Sequence, residues 1–338
     1  MEKVDSVRKE FSWQEVLACR NELFGISILW IISFHIYRNV GITGLGWKWI
    51  EMVLSRGNMG VDIFLFLSAI GLSKSIQSND TITFYKHRFQ RVVFPYLIVA
   101  FPFFIWFDFI HYNDGLWQYI LNVTTINFWL TGRHPVWYVA FIIVLYLFFP
   151  MLYKWDKKTG HISTICILIL CVVLEYVMYK NGFWLFRTSE KALSRIPVFM
   201  VGFLAAPMAL SNRHISLWQV LMLLVLGLAL FYFITIHPPH LVLMRYCYCP
   251  ISIAIIVCYA YLHQIVNVKW IWHGLAWVGS ISLELYMIHI LIRRVITVTN
   301  SWELISPILW WITIPIVSFP LAFILQKLTM RINQKWQD

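Results

Sequence analysis

The chain has 338 residues, of which 60% are hydrophobic, 17% aromatic and only 13% charged. Soluble domains carry roughly 25% charged residues, so this composition excludes an ordinary soluble enzyme and places the chain in the membrane class. The net charge of +11 is spread over short loops with no basic domain, which excludes nucleic acid as a partner and points to membrane topology and anionic lipid.

The first 22 residues form a polar tail with Lys3, Arg8 and Lys9. No small-residue cleavage site precedes the apolar run after it, so the first span reads as a retained anchor. A helix needs about 20 mostly apolar residues to cross roughly 30 Å of hydrocarbon. That ruler gives ten spans, near 23–40, 59–76, 93–110, 135–152, 162–179, 195–210, 217–236, 248–266, 274–292 and 304–325. The sixth is the weakest, because Arg195 and Pro197 stand at its start. The tenth carries Pro307, Pro315 and Pro320, which membrane helices tolerate where neighbours satisfy the freed carbonyls. A C-terminal tail is expected over 326–338. The expected fold is all-α: one polytopic membrane domain over 1–338, with about ten transmembrane helices.

An even count puts both termini on one side. With that side cytoplasmic, 16 of the 27 Lys and Arg residues fall inside and 11 outside, a modest bias in the expected direction. The multipass chain is therefore assigned to the cell membrane. The longer outer loops are 41–58 and 111–134; the latter holds Trp117-Gln118-Tyr119-Ile120-Leu121 and Phe128-Trp129-Leu130, expected as a short interfacial helix. Asn122-Val123-Thr124 matches a glycosylation sequon, a pattern too short to carry weight. The six cysteines include no C-x-x-C pair, and Cys166, Cys171 and Cys258 lie in apolar runs, so neither a metal site nor a disulfide framework is expected.

The most informative residue is His35, inside the first span. A charged group at mid-span costs roughly 2.5 kcal/mol or more on insertion scales, so such a residue normally faces a protein interior or a wet cavity. Neutral imidazole is also the usual proton acceptor near neutral pH. His35 lies roughly 18 Å from the inner edge, and Arg20 and Asn21 sit near its helical face; alone, these two read as headgroup contacts. Asp62 falls near the outer edge of span two, with Ser68 deeper. Span four opens with His134-Pro135-Val136-Trp137-Tyr138. Span nine places Glu284 near mid-bilayer and His289 in the outer half, and Arg293 and Arg294 follow as interfacial anchors. Any one of these groups is as well explained by a structural hydrogen bond. Several at similar depth read as the lining of one cavity. Arg88 and Arg91, in Tyr85-Lys86-His87-Arg88-Phe89-Gln90-Arg91, are i,i+3 neighbours whose guanidinium groups suit phosphate; an inner basic loop explains them without any ligand.

Five segments in order resemble the bacterial integral-membrane acyltransferase type 3 family. They are Asn21-Glu22-Leu23-Phe24-Gly25 with His35; Asn58-Met59-Gly60-Val61-Asp62 running to Ser68; Phe84 to Tyr96 around Arg88 and Arg91; His134 to Tyr138; and Gly279 to His289. The resemblance implies transfer of an acyl group, commonly acetyl, from acyl-CoA as co-substrate, with no bound cofactor. The acceptor it implies is a hydroxyl of an envelope glycan, exopolysaccharide or lipid-linked sugar. By resemblance His35 is the catalytic histidine, and Arg88 and Arg91 hold the donor. Two positions depart from the family pattern: Phe24 stands where an arginine is usual, and Ala69 replaces a glycine. Arg20, one turn before Phe24, is expected to supply the missing cation at the donor site. Asp62, Ser68, Trp137, Tyr138, Glu284 and His289 are further cavity candidates. A second reading, a non-catalytic transporter or scaffold for an envelope lipid or glycan, draws its support from Phe24.

Overall fold

The structure, a computed structural model, describes residues 11–42, 48–237 and 241–335. The first ten residues of the expected N-terminal tail, positions 43–47 of the first outer loop and the last three residues of the C-terminal tail lie outside these. Every regular element described is helical, apart from one isolated bridge between Ser12 and His214.

The helices in chain order are α1 (Trp13–Ala18), α2 (Arg20–Val40), α3 (Lys48–Ser55), α4 (Gly60–Ser78), α5 (Thr81–Arg88), α6 (Phe94–Phe104), α7 (Gly115–Val123), α8 (Ile126–Thr131) and α9 (Trp137–Thr159). There follow α10 (His161–Lys180), α11 (Trp184–Leu193), α12 (Ile196–Leu210), α13 (Leu217–Ile236), α14 (Leu241–Ile265), α15 (Lys269–Ser280), α16 (Ser282–Val298) and α17 (Pro307–Lys335). Among the described residues nine helical stretches are long and apolar enough to cross a membrane. The bent pair α15–α16 makes a tenth if it is counted as one span. The protein is thus an all-α, multipass membrane protein.

Local chemistry sets several helix ends. The Asp80 carboxylate accepts from Thr83 N at 3.2 Å and caps α5. Ser216 and Gln219 form a reciprocal capping box at the start of α13. Pro197, which made the sixth span look weak, lies in the first turn of α12, where no amide donor is required. The stretch Trp184–Leu210 passes as a span despite Arg195, whose charge is buried against Asp62.

Two glycines let α2 and α15 meet backbone to backbone. A Cβ on Gly25 would overlap the Leu275 carbonyl, and one on Gly279 would overlap the Asn21 carbonyl. Small residues of this kind allow close helix approach where lipid supplies no hydrophobic drive between helices. The ninth span is not one straight helix, because α15 and α16 are bent by 67° across Ile281. The break leaves the Ser280 carbonyl without an intrahelical partner, and it accepts instead from Arg91 at 3.3 Å and Gln326 at 2.7 Å.

Elsewhere the structure differs from expectation in detail. The loop 111–134 carries two short helices, α7 and α8, in place of one. Asn122 of the sequon is buried and donates to both Asp108 carboxylate oxygens at 2.8 and 3.0 Å, so it is part of a packed network. Residues 11–18, expected in the polar tail, bury Phe11, Trp13 and Val16 in the core. The expected tail from 326 continues α17 to Lys335, where Asn333 donates to the Gln90 carbonyl at 3.3 Å.

Candidate active site

Two cavities, not one, lie end to end along α2. The α2 residues lining the first are 20, 21, 24 and 31, and those lining the second are 31, 34, 35 and 38. That progression is one face of a 3.6-residue helix. The near cavity, where α2 begins, has a volume of about 390 Å³; the far cavity has about 680 Å³. Ile31, Val61 and Tyr286 line both, so the partition between them is three side chains.

Arg20, Ser68, Arg88, Arg91 and Tyr138 all line the near cavity, and no carboxylate does. The Arg20 guanidinium carbon sits 4.8 Å over the Phe24 ring, which stacks at 4.8 Å on Phe64. Arg88 donates to Ser75 Oγ at 3.3 Å and lies over the rings of Phe84 and Tyr146, at 5.5 and 5.8 Å. Arg88 and Arg91 do not share a regular α-helical face, because the chain turns π-helical over Phe89–Val93, directly after Arg88. The first turn of α16 supplies Ser282 and Leu283 to this cavity, bringing a helix N-terminus to a site already rich in cations.

His35 and Trp137 line the far cavity. Asn39 donates its side-chain amide to the His35 carbonyl at 2.5 Å, and the His35 and His289 rings are 5.6 Å apart. His289 itself lines neither cavity. Its Nδ1 lies 2.8 Å from the Leu285 carbonyl, which can only accept, so Nδ1 carries the hydrogen and Nε2 presents a lone pair. His134 also lines the far cavity and lies between two spans. Its Nε2 is 2.9 Å from the Asn122 carbonyl, and burial pushes its pKa down to about 4.

Four expectations are corrected, the first being that His289, a cavity candidate, lines neither of the two cavities. Asp62 lines neither of these cavities: it is buried 3.5 Å from Arg195, and Arg195 also donates to the carbonyls of Lys191 and Asn58 at 2.7 and 3.2 Å. Burying a charge is tolerable only with such partners. Glu284 is buried in the first turn of α16 and lines neither of these cavities, although Ser282, Leu283 and Tyr286 beside it line the near one. Arg293 and Arg294, expected as interfacial anchors, line the far cavity. Tyr286, Lys191 and Arg245 were not singled out in the sequence. The signal that could have found Arg195 was the charge that made its span look insecure.

Behind the near cavity, Cys19, Glu22 and His263 bring a thiol, a carboxylate and an imidazole within 4.8 Å of one another. Burial, reinforced by the Glu22 carboxylate, pushes the Cys19 thiol up to about 12, so it stays protonated near neutral pH. Sequence spacing could not reveal this group, since His263 arrives from α14.

The fold and these two pockets define a class: a multipass helical protein that opens one cavity toward each end of a polar-faced helix. The profile of a family described as an acyltransferase domain matches residues 25–327. The chain belongs to that family, acyltransferase type 3, and is a membrane acyltransferase. No curated protein and no solved structure matches it.

Proposed function

We propose that the protein moves an acyl group, acetyl by family habit, from acyl-CoA in the near cavity to a hydroxyl of an envelope glycan, exopolysaccharide or glycolipid in the far cavity. The near end then faces the cytoplasm, where acyl-CoA is found, with both termini on that side of the cell membrane. The single observation that carries this reading is the shared partition. Three arginines stand on one side of Ile31, Val61 and Tyr286, and His35 stands on the other.

In this reading Arg20, Arg88 and Arg91 hold the CoA phosphates by charge-assisted hydrogen bonds. The acyl thioester reaches the partition, about 16 Å of helix rise separating Phe24 from His35. His35 takes the proton from the acceptor hydroxyl as its oxygen attacks the thioester carbonyl. Tyr286 is placed to stabilise the oxyanion. Its hydroxyl oxygen accepts from Tyr138 N at 3.2 Å, which leaves its own hydrogen free to donate. Collapse of the tetrahedral intermediate forms the ester and breaks the C–S bond, and the proton on His35 goes to the departing CoA thiolate. The scaffold or transporter reading rests on Phe24, and the guanidinium of Arg20 over that ring weakens it.

The test is release of free CoA, and of radiolabelled acyl product, by purified protein in nanodiscs supplied with acyl-CoA and an envelope extract. His35→Ala abolishes transfer and retains CoA binding. A folded His35→Ala protein that acylates at the normal rate refutes the role given to His35.

A further inference from the structure

Charge topology assigns eleven Lys and Arg residues to the outer side, and seven of them line the far cavity. That side of a membrane protein is ordinarily depleted in such residues, so the concentration calls for a cause. Two of the seven are neutralised: Arg195 by Asp62, and Arg245 by Glu190. The other five are Arg38, Arg133, Lys191, Arg293 and Arg294. Among the described residues none of them has a carboxylate within ion-pair distance, and no carboxylate lines the cavity.

The five come from four separate places: α2, the turn before α9, α11 and α16. The clustering is therefore tertiary and not a run of basic sequence. Arg38 is one turn beyond His35, and Arg293 is one turn beyond His289, whose ring adjoins that of His35. Aromatic faces steady two of the guanidinium groups, Arg38 over Phe34 at 5.7 Å and Arg294 over Phe107 at 5.1 Å. Arg293 Nε and Arg294 Nε are buried with no hydrogen-bond acceptor among the described residues. Like charges gathered around a cavity repel one another, and an anion bound there removes that repulsion and supplies the missing acceptors.

We propose that the far cavity is an oxyanion site and that the acceptor is an acidic glycan component, carrying a phosphate or carboxylate about one helical turn beyond the hydroxyl that His35 deprotonates. This deepens the acyltransferase reading above and rests on it for the word acceptor. Trp137, also in the lining, carries the Arg195 guanidinium 5.2 Å over its ring, and the cations around it fix the charged substituent of the sugar. The oxyanion has two chemical sources: a charged group on the glycan itself, or the diphosphate of a lipid-linked sugar.

The experiment supplies radiolabelled acetyl-CoA and envelope extract to the protein in phosphatidylcholine nanodiscs and passes the product over an anion exchanger. The product is retained. Mild acid, which cleaves sugar diphosphates, removes the retention if the source is the lipid-linked diphosphate; carbodiimide reduction removes it if the source is a carboxylate; otherwise the glycan carries phosphate. Arg293→Gln and Arg294→Gln each lower kcat/KM for the extract acceptor by about tenfold or more, while KM for acetyl-CoA changes less than twofold. A neutral product, or unchanged kcat/KM in both variants, overturns the proposal and leaves acyl transfer standing. A parallel arm measures binding of inorganic pyrophosphate without any transfer. Binding lost in Arg293→Gln/Arg294→Gln supports the anion site even if no product forms, in which case the acyltransferase reading fails by itself. Binding abolished by replacing phosphatidylcholine with phosphatidylglycerol marks the cations as a lipid headgroup site and overturns the acceptor proposal.

Discussion

Arg20 offers the sharpest test of how this chain manages without an arginine at position 24. Its guanidinium lies 4.8 Å over the Phe24 ring and lines the near cavity with Arg88 and Arg91. It also passes Gly71, where a Cβ would stand 3.1 Å from its terminal nitrogen, so that glycine keeps the path open. Replacing Arg20 by alanine removes a cation–π contact of about 0.5–2 kcal/mol and one charge-assisted contact to a CoA phosphate of about 1.5–3 kcal/mol. The first steadies the side chain and the second acts on the ligand, so the ligand term governs the donor. At 1.4 kcal/mol per decade, kcat/KM for acyl-CoA falls about 10- to 100-fold. Arg20→Lys keeps the charge but not the planar stack, and its loss is intermediate. Position 24 is one turn onward on the same cavity-lining face, so adding Phe24→Arg to Arg20→Ala restores part of the activity. The assay is CoA release against acyl-CoA concentration at saturating envelope extract. Arg20→Ala at the wild-type rate refutes the replacement argument, and a wild type inert toward every acyl-CoA beside an active Phe24→Arg favours the scaffold reading.

Asp62→Asn leaves Arg195 buried without its counter-ion and lowers thermal stability by about 3–5 kcal/mol, and adding Arg195→Met recovers much of it; a thermal melt in detergent that shows no loss refutes the pairing as structural. His134 titrates near 4 when folded and near 6.5 when unfolded, so the unfolded state binds the extra proton as pH falls. Its stabilisation is complete above about pH 6.5 and is lost as pH falls toward and through about 4, by at most about 3 kcal/mol; melts at pH 7.5 and 5 separate wild type from His134→Gln, whose curve is flatter. In a cysteine-free background, a cysteine at exposed Ile126 reacts with an impermeant thiol reagent in intact cells, whereas one at exposed Thr159 does not. Asn127, in the same segment, is buried and unsuitable as a label site. Reversed reactivity inverts the assignment of near and far ends.

The number and order of the spans were legible because lipid imposes a one-dimensional rule: an apolar stretch long enough to cross is a helix whatever its neighbours do. The face of α2 that joins Arg20, Asn21, Phe24 and His35 was legible for a similar reason, since helical periodicity is local. The bend at Ile281 was not read, although the pair Gly279-Ser280 stands beside it, because the orphaned Ser280 carbonyl is satisfied by Arg91 and Gln326 from distant helices. Nor was the fate of each ionisable residue. Asp62 and Arg195 are 133 positions apart, and only packing of α12 on α4 turns two isolated costs into one pair. Arg293 looked like a headgroup anchor because depth along the chain can be counted, whereas the direction a side chain faces depends on the helices around it. By itself, then, the sequence determined a multipass helical membrane protein with a histidine and an arginine pair in register with a known family. The tertiary structure alone decided that these residues open onto two cavities and that the far one is lined by cations, because cavity walls are assembled from helices far apart in the chain.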